Sequence, residues 1–344
     1  MASKPKRLVQ LVGSVPLKSA EEVFRQTAGV LGALLPRIPD GETGERTNWI
    51  EWQMDRFAKT PGLQKVGQPG VEGARGLSKF RMKPGMKATE IAFGPLGYAD
   101  EGIDSYAIFH RLRSSGSMPP GTRFQVSLPT ALAVVFGFVE PDQVRDLWPV
   151  YERRLFAELD EITSAIPHRD LAVQWDIAIE VCAILENPAI AKSWPIDTLV
   201  EPMVRGAMRV PPDVELGFHF CYGDPGHKHI VEPKDMGLMV DLANRLSAAV
   251  TRPINWMHMP VPRDRSDDDY FTPLRGLKLK SETTLFLGLV HLTDGLAGAQ
   301  KRLAAAMRAR AEFGIATECG FGRRSPETMP DLLALHREVA SLSG

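Results

Sequence analysis

The sequence predicts an α/β protein folded as a single (β/α)8 TIM barrel over residues 1–344. Eight short apolar segments each precede a stretch with helical periodicity, and this alternation predicts parallel strands joined by right-handed crossovers. Eight such units predict a closed barrel, and this chain length is within the range of single barrels. An open doubly wound sheet is the alternative. No Gly-x-Gly-x-x-Gly or Walker-type loop begins a helix, so nucleotide binding has no support. The predicted strands are residues 8–13, 34–38, 124–128, 171–175, 214–220, 253–258, 284–291 and 313–317.

The helices are placed by their periodicity and by signals at their ends. The first is predicted over 19–35, where Ser19 is an N-cap and Glu22 completes a capping box. Residues 58–90 are rich in Gly, Pro and Lys without clear periodicity, so they predict a long loop excursion after the second strand. The later helices are predicted at 100–115, 141–162, 196–208, 233–250, 295–312 and 329–342.

The composition is that of a globular protein with balanced charge. Apolar residues make up 44%, charged residues 24%, and the net charge is −1, so no general attraction to nucleic acid or anionic membrane is expected. No apolar run reaches the roughly 18 residues of a membrane span. The basic residues 1–7 precede a short, interrupted apolar stretch, which is interpreted as the first strand and not as a signal peptide. Three cysteines, an odd and sparse count, favour a reducing compartment, and we expect a cytoplasmic enzyme.

Polar and thiol side chains collect at one end of the predicted barrel. In such barrels the catalytic groups lie at the carboxyl ends of the strands. The residues at these positions are Ser14, Glu42, Asp176, His219, Cys221, His258, His291 and Cys319. This clustering favours a functional site over a scatter of buried polar residues.

The most specific pair in this set is His219 and Cys221. They are two residues apart in a predicted strand, so their side chains project from the same face. Imidazole and thiolate are ligands that zinc accepts, and Cys319 after the last strand could complete the set. The alternative interpretation is a core histidine with two inert buried cysteines.

Other residues of these types are given simpler roles. Cys182 lies in an apolar helical context and is predicted to belong to the core. His227 and His229 are predicted to be loop residues or substrate contacts.

Six short motifs occur in a fixed order along the chain. They are Gly13-Ser14-Val15-Pro16, Asp40-Gly41-Glu42 with Glu45-Arg46, Gln174-Trp175-Asp176, His219-Phe220-Cys221-Tyr222, His291 before the penultimate helix, and Glu318-Cys319-Gly320. By these motifs the chain resembles the C-terminal catalytic barrel of the cobalamin-independent methionine synthase family over nearly its whole length. The same superfamily includes single-barrel zinc alkyltransferases that act on other thiols and, more distantly, uroporphyrinogen decarboxylase.

The resemblance implies a zinc site and a set of ligands. His219, Cys221 and Cys319 match the family's zinc ligands. Family methionine synthases add a glutamate from the sixth strand, where this chain reads Asn255-Trp256-Met257-His258-Met259 and has no acid. Either His258 substitutes for that ligand or the position is open.

The resemblance also implies roles around the zinc. Ser14, Glu42 and Asp176 match positions that bind the amine and carboxylate of the amino-acid thiol, and His291 matches the proton donor to the leaving group. Asp176 is also a candidate catalytic residue, because an acid that orients a cationic group promotes reaction by proximity.

Departures from the family narrow the predicted activity. There is one barrel and not two, and Asp176-Ile177-Ala178 replaces the family's Asp-Glu-Pro. Residues 93–98 replace the tryptophan-bearing segment on which polyglutamyl folate lies. The prediction is therefore a zinc-dependent methyl or alkyl transferase that activates a thiol as a zinc thiolate without the usual folate.

The predicted partners are a small-molecule thiol and an alkyl or methyl donor, with neither nucleic acid nor membrane, in a monomer or homodimer. Two alternatives stay open. One is a zinc-dependent lyase or demethylase acting on a small thioether or methoxylated compound. The other is a metal-free decarboxylase-like barrel in which Asp176 is the catalytic acid.

Overall fold

A curled parallel sheet with helices packed against it forms the frame of the molecule. The computed structural model describes residues 7–66, 78–223 and 229–342. Within these ranges the strands are β1 (Arg37–Pro39), β2 (Leu63–Val66), β3 (Lys79–Met82), β4 (Arg123–Pro129), β5 (Leu171–Ile177), β6 (Glu215–Phe220), β7 (Trp256–Pro260), β8 (Thr284–Gly288) and β9 (Gly314–Ile315). Seven of them form one sheet in the order β1-β4-β5-β6-β7-β8-β9, and every neighbouring pair is parallel. The α/β class and the parallel alternation predicted from the sequence are confirmed.

The segment predicted as the first strand lies between the two edges of this sheet. The Gln10 N–H donates to the Ile315 carbonyl of β9 (2.9 Å), and the Val9 N–H donates to the Leu34 carbonyl just before β1 (2.9 Å). The segment pairs with β9 through one isolated parallel bridge, Val9 with Ile315. Its side chains are buried from Val9 to Val15.

The helices occupy the crossovers, as expected for parallel strands. Within the described ranges they are α1 (Ala20–Leu31), α2 (Gln53–Lys59), α3 (Tyr98–Ser114), α4 (Ala131–Phe138), α5 (Val144–Ala165), α6 (Pro188–Ala191), α7 (Ile196–Arg209), α8 (Gly237–Ala249), α9 (Asp268–Phe271), α10 (Gly295–Ala309) and α11 (Met329–Ala340). Ser19 is the N-cap of α1, as predicted, and its hydroxyl accepts from the Glu22 N–H at 3.3 Å. Among the described helices, none has the length and apolar character needed to cross a membrane.

The excursion after β1 contains a small antiparallel ribbon. β2 pairs with β3, with Leu63 opposite Met82. The ring of Phe80 in β3 lies 5.8 Å from that of Phe57 in α2, which in turn is 5.4 Å from the ring of Phe138 in α4. This aromatic packing attaches the ribbon to the helices beside the main sheet. The central part of the predicted excursion, 67–77, lies outside the described residues.

The amino-terminal end of the sheet is filled by a buried arginine. Arg37 in β1 is 5% exposed, and its guanidinium lies 4.0 Å from the ring centroid of Trp256. It forms an ion pair with Glu215 at 2.9 Å and donates to the side-chain carbonyl of Gln10. A buried charge needs such partners, and these contacts stabilise Arg37 at this end of the sheet.

Strand register places three predicted site residues in one row at the opposite end. Asp176 of β5 is the register partner of His219 of β6, which is the partner of His258 of β7. Register partners in adjacent parallel strands project from the same face of the sheet. The row therefore begins the site at the carboxyl ends of the strands.

Candidate metal and substrate site

The structure brings together the three residues predicted to bind metal. His219 is in β6, Cys221 follows that strand directly, and Cys319 lies in the turn after β9. Their ligand atoms all lie within 4.8 Å of one another. His219 and Cys221 are each 3% exposed. Residues that are 98 positions apart in the chain thus meet because β6 and β9 end at the same rim.

The separation of the two sulfurs tests whether this cluster fits a zinc ion. Two thiolates bound at about 2.3 Å to one tetrahedral zinc lie about 3.8 Å apart. The distance between Cys221 Sγ and Cys319 Sγ is 3.8 Å. A disulfide would bring the sulfurs to about 2.05 Å. The donor set of one imidazole and two thiols is also one that leaves a coordination position for a substrate, so the residues fit zinc.

His258 contacts the cluster through a hydrogen bond with His219. The Nδ1 atoms of the two rings are 2.7 Å apart, and His258 Nε2 is 2.9 Å from the Thr317 carbonyl oxygen. His258 is fully buried, and burial lowers its pKa to about 4. Burial, together with the neighbouring His258 ring, lowers the pKa of His219 well below its usual value.

A cavity of about 280 Å³ opens in front of this cluster. Its wall combines the His–Cys–Cys cluster, the three acidic residues Glu42, Glu51 and Asp176, one arginine and a set of apolar side chains. The residues that define its character are Glu42, Trp49, Ile50, Asp176, Ile179, Cys182 and Arg323, besides the cluster itself. A Nη2 atom of Arg323 lies 3.4 Å from Cys319 Sγ, so a positive charge is held beside that sulfur. The cavity is therefore suited to a small polar molecule with one apolar side.

Half-buried Glu42 and buried Asp176 form an acidic pair in the cavity wall. Burial and the neighbouring carboxylates raise the pKa of Glu42 well above its usual value, and burial raises the pKa of Asp176 to about 8. Asp176 accepts from the Gln174 amide at 2.9 Å and from the Trp49 indole N–H at 3.1 Å. A cationic group bound between the two acids would stabilise their ionised forms.

The backbone around Glu42 is shaped to bring its carboxylate into the cavity. Glu42 has φ 45°, a left-handed conformation that is rare for residues other than glycine. The Asp40 carboxylate holds this conformation by accepting from the Glu42 N–H at 2.8 Å. Gly13 leaves room for the side chain, since a Cβ there would lie 2.2 Å from Glu42 Oε1. Strain of this kind concentrates at functional sites.

Ser14 contacts the turn that carries Cys319. Its hydroxyl accepts from the Gly322 N–H at 3.3 Å, and its carbonyl accepts from the Phe321 N–H at 2.6 Å. Ser14 also lines the cavity. It therefore fixes the position of the Cys319 turn, and its predicted contact with a substrate stays a prediction.

His291 is buried beside the cluster and does not belong to the residues that line the cavity. Its Nε2 lies 2.8 Å from the Val261 carbonyl, and its Nδ1 lies 3.1 Å from a carboxylate oxygen of Glu318, which pairs with Arg324 at 3.2 Å. Burial lowers the pKa of His291 to about 3. Both ring nitrogens thus have protein partners, and its predicted role as proton donor stays a prediction.

Sequence reasoning missed part of the cavity wall and gave one residue a simpler role. Arg323 and Trp49 were not predicted, although Arg323 is four positions after Cys319 and Trp49 follows the acidic turn. Cys182 is buried as predicted, yet it also lines the cavity. His229 lies with its ring 5.5 Å from that of Tyr222, and His227 lies outside the described residues.

Fold and site together define a TIM-barrel-like α/β protein with a candidate metal cluster at the carboxyl ends of its strands. The solved structures that are similar to the chain include the following three. One is a B12-independent methionine synthase from Shewanella sp. W3-18-1 in complex with selenomethionine, with 15% identity, TM-score 0.60, and 98% of this chain and 97% of that chain covered. A protein from Listeria monocytogenes assigned as a vitamin-B12-independent methionine synthase has 13% identity, TM-score 0.54 and coverages of 93% and 86%. A methyltransferase from Methanosarcina mazei has 10% identity, TM-score 0.51 and coverages of 97% and 94%.

These similarities establish the fold. No family model matches the sequence, and no curated protein matches it. The structural neighbours are methionine synthase-like and methyltransferase structures, which is the resemblance that the sequence motifs predicted. At the level of the fold, that prediction is confirmed.

Proposed function

We propose that the protein is a zinc-dependent methyl or alkyl transferase whose acceptor is a small-molecule thiol. The observation that carries the proposal is the cluster of His219, Cys221 and Cys319, with its sulfurs at the spacing of two thiolates on one tetrahedral zinc. The solved methyltransferases with this fold support the class of reaction. The replaced folate segment favours a donor other than the usual polyglutamyl folate.

The residues that line the cavity form two groups with different roles: the His–Cys–Cys cluster is the metal half, and the wall with Glu42 and Asp176 is the acidic half. Zinc held by the cluster supplies the positive charge that favours the thiolate form of a substrate thiol at neutral pH. Glu42 and Asp176 bind a cationic group and so orient the substrate, while the guanidinium of Arg323 faces anionic groups. Trp49 holds Asp176 in place through its indole N–H.

The transfer is a substitution at carbon. A sulfur–carbon bond forms as the bond between that carbon and the leaving group breaks, and the leaving group keeps the bonding electron pair. The thiol proton is lost before this step, and the leaving group gains a proton after it.

We also propose that residues 8–12 complete a closed (β/α)8 barrel within a single domain. Their hydrogen bonds to Leu34 and Ile315, at the two edges of the curled sheet, support this closure. The thiol cluster would need a reducing compartment, which supports the cytoplasm as its setting.

Metal analysis of the purified protein tests the proposal first. We expect about one zinc per chain in protein prepared without chelator, and loss of most of that zinc in Cys221→Ser and Cys319→Ser. Cys182→Ser is the matched control, since it removes a thiol outside the cluster and is expected to keep its zinc. A wild-type protein with neither bound zinc nor affinity for it would contradict the proposal.

The reaction is tested by product analysis. The zinc-loaded protein is incubated with several small thiols and methyl or alkyl donors, and thioether formation is followed by mass spectrometry. New thioethers support transfer to a thiol. Consumption of a thioether or methoxylated compound without an acceptor would indicate the lyase or demethylase alternative instead.

A further inference from the structure

The hydrogen-bond chain behind His219 determines which of its ring nitrogens is available to a metal. The chain runs from the Thr317 carbonyl to His258 and from His258 to His219. A backbone carbonyl can only accept, so His258 Nε2 carries a proton and donates to Thr317. In a neutral imidazole the other nitrogen is then an acceptor.

This assignment sets the tautomer of His219. His258 Nδ1, as the acceptor, requires that His219 Nδ1 carries the proton of their 2.7 Å hydrogen bond. The lone pair of His219 is then on Nε2. The hydrogen bond to His258 thus leaves Nε2 as the nitrogen of His219 that can bind a metal.

The distance between the two rings also shows whether they are hydrogen-bonded to each other or are placed to bind one metal ion together. Two imidazole nitrogens bound at about 2.05 Å to one tetrahedral zinc lie about 3.3 Å apart. The observed separation of the Nδ1 atoms is 2.7 Å, which is a hydrogen-bond length. The sulfur pair has the spacing of co-ligands, and the imidazole pair does not.

We propose that His258 is a positioning residue that holds His219 in the tautomer that binds metal through Nε2, and that the zinc site has three protein ligands and an open fourth position. This inference rests on the proposed zinc site and deepens it. His258 occupies the strand position from which a fourth ligand would come, but both its ring nitrogens have protein partners. The open position would face the cavity, so a substrate thiol enters it without displacing a protein ligand.

X-ray absorption of the zinc-loaded wild-type protein counts the ligands. We expect two sulfurs, one imidazole and one light atom from solvent. Two sulfurs with two imidazoles would overturn the inference while leaving the proposed function in place. A protein that binds no zinc would overturn the proposed function itself, so the two failures are distinguishable.

Two variants test the positioning role by zinc affinity, measured in competition with a chelator. His258→Phe keeps a ring of similar size but removes the acceptor, and loss of such an outer hydrogen bond weakens metal binding about 10- to 100-fold. His258→Asn keeps an acceptor oxygen near the place of Nδ1 and is expected to retain most of the affinity. Equal weakening in both variants would contradict the hydrogen-bond role.

Cobalt substitution distinguishes a residue that positions a ligand from a residue that is itself a ligand. We expect wild-type and His258→Phe proteins to give the same pattern of thiolate-to-cobalt and d–d absorption, since the ligand set is unchanged. Addition of a thiol should add a third thiolate band in both. A changed ligand-field spectrum in folded His258→Phe, as His219→Ala would give, would show that His258 is itself a ligand.

Discussion

A buried glutamate behind the cavity wall, Glu180, allows us to predict how the free energy of unfolding changes with pH. Glu180 begins the six-residue π-helical turn Glu180–Leu185, which follows β5 and carries Cys182 of the cavity wall. It is 1% exposed, and one carboxyl oxygen accepts from the Thr130 hydroxyl. The other oxygen has no hydrogen-bond partner among the described residues. Burial raises the pKa of Glu180 from 4.5 to about 7.

The size of this pKa shift sets the expected change in the free energy of unfolding. Because the folded chain binds the proton more tightly than the unfolded chain, the free energy of unfolding falls as the pH rises from about 4.5 to about 7. A shift of roughly 2.5 units at about 1.36 kcal/mol each corresponds to about 3 kcal/mol at pH 8. Glu180→Gln cannot ionise and keeps an acceptor for Thr130. It should therefore be more stable than wild type by about 3 kcal/mol at pH 8 and by less than about 0.5 kcal/mol at pH 4.5.

The assay is thermal unfolding of both proteins at the two pH values. At about 2.1 cal/mol/K per residue, 344 residues give an unfolding entropy for which 3 kcal/mol corresponds to a shift of about 4 °C. The exposed Glu338 supplies the matched control, because Glu338→Gln should change stability by less than about 0.5 kcal/mol at either pH. A Glu180→Gln protein that is no more stable than wild type at pH 8 would refute the reasoning.

Two further substitutions test the strained and charged parts of the frame. Gly13→Ala places a Cβ 2.2 Å from Glu42 Oε1, and because the end of this flexible side chain can move away, we expect a loss of no more than about 1 kcal/mol in unfolding free energy together with weaker substrate binding. Adding Glu42→Ala should restore the stability but not the binding, and a double variant as unstable as the single one would exclude the clash as the cause. Arg37→Ala removes one of the two arginines paired with Glu215, which keeps Arg123 at 3.0 Å, and also removes the packing over Trp256, so it should cost about 2 kcal/mol in denaturant unfolding. Arg37→Met, which keeps the packing over the neighbouring indole, should cost less, and equal losses would contradict a contribution from that packing.

Sequence periodicity predicted crossover helices that have one apolar and one polar face. It missed a helix that is apolar on every face. The helix predicted over 141–162 was found as α5, but α4 before it was missed. The α4 sequence, ALAVVFGF, is apolar on all sides, and six of its eight residues are buried. A uniformly apolar segment has no period, so its helical state depends on burial against neighbours that the local sequence does not reveal.

The meeting of distant site residues was predictable for a simple geometric reason. Parallel strands expose their carboxyl ends on one side, so Asp176, His219 and His258 had to become neighbours once the strand order was known. The partner that each side chain selects was not predictable. The tautomer of His219 depends on the Thr317 carbonyl, which lies almost a hundred residues further along the chain and carries no sequence signal.

His291 shows the limit of the same reasoning. It follows β8 by three residues, and the family resemblance gave it the role of proton donor, which stays a prediction. Beyond the strand the alternation of side chains no longer applies, and the ring lies instead between the Val261 carbonyl and Glu318. Position at a strand end therefore predicts proximity to a site but not direct access to it.

The metal half and the acidic half of the cavity differ in their charge balance. Two thiolates of the cluster balance a divalent cation, and the two buried imidazoles are neutral, so the metal half carries no net charge when zinc is bound. The acidic half is different, because burial raises the pKa values of Glu42 and Asp176, and neighbouring carboxylates raise that of Glu42 further, so ionising both is costly without a counter-charge. The guanidinium groups of Arg46 and Arg323 partly offset the charge of Glu42. Under the proposed function, a substrate that brings a cationic group would offset the charge of Asp176, so we expect this wall to favour a thiol or donor that carries a positive charge over a neutral one of the same shape.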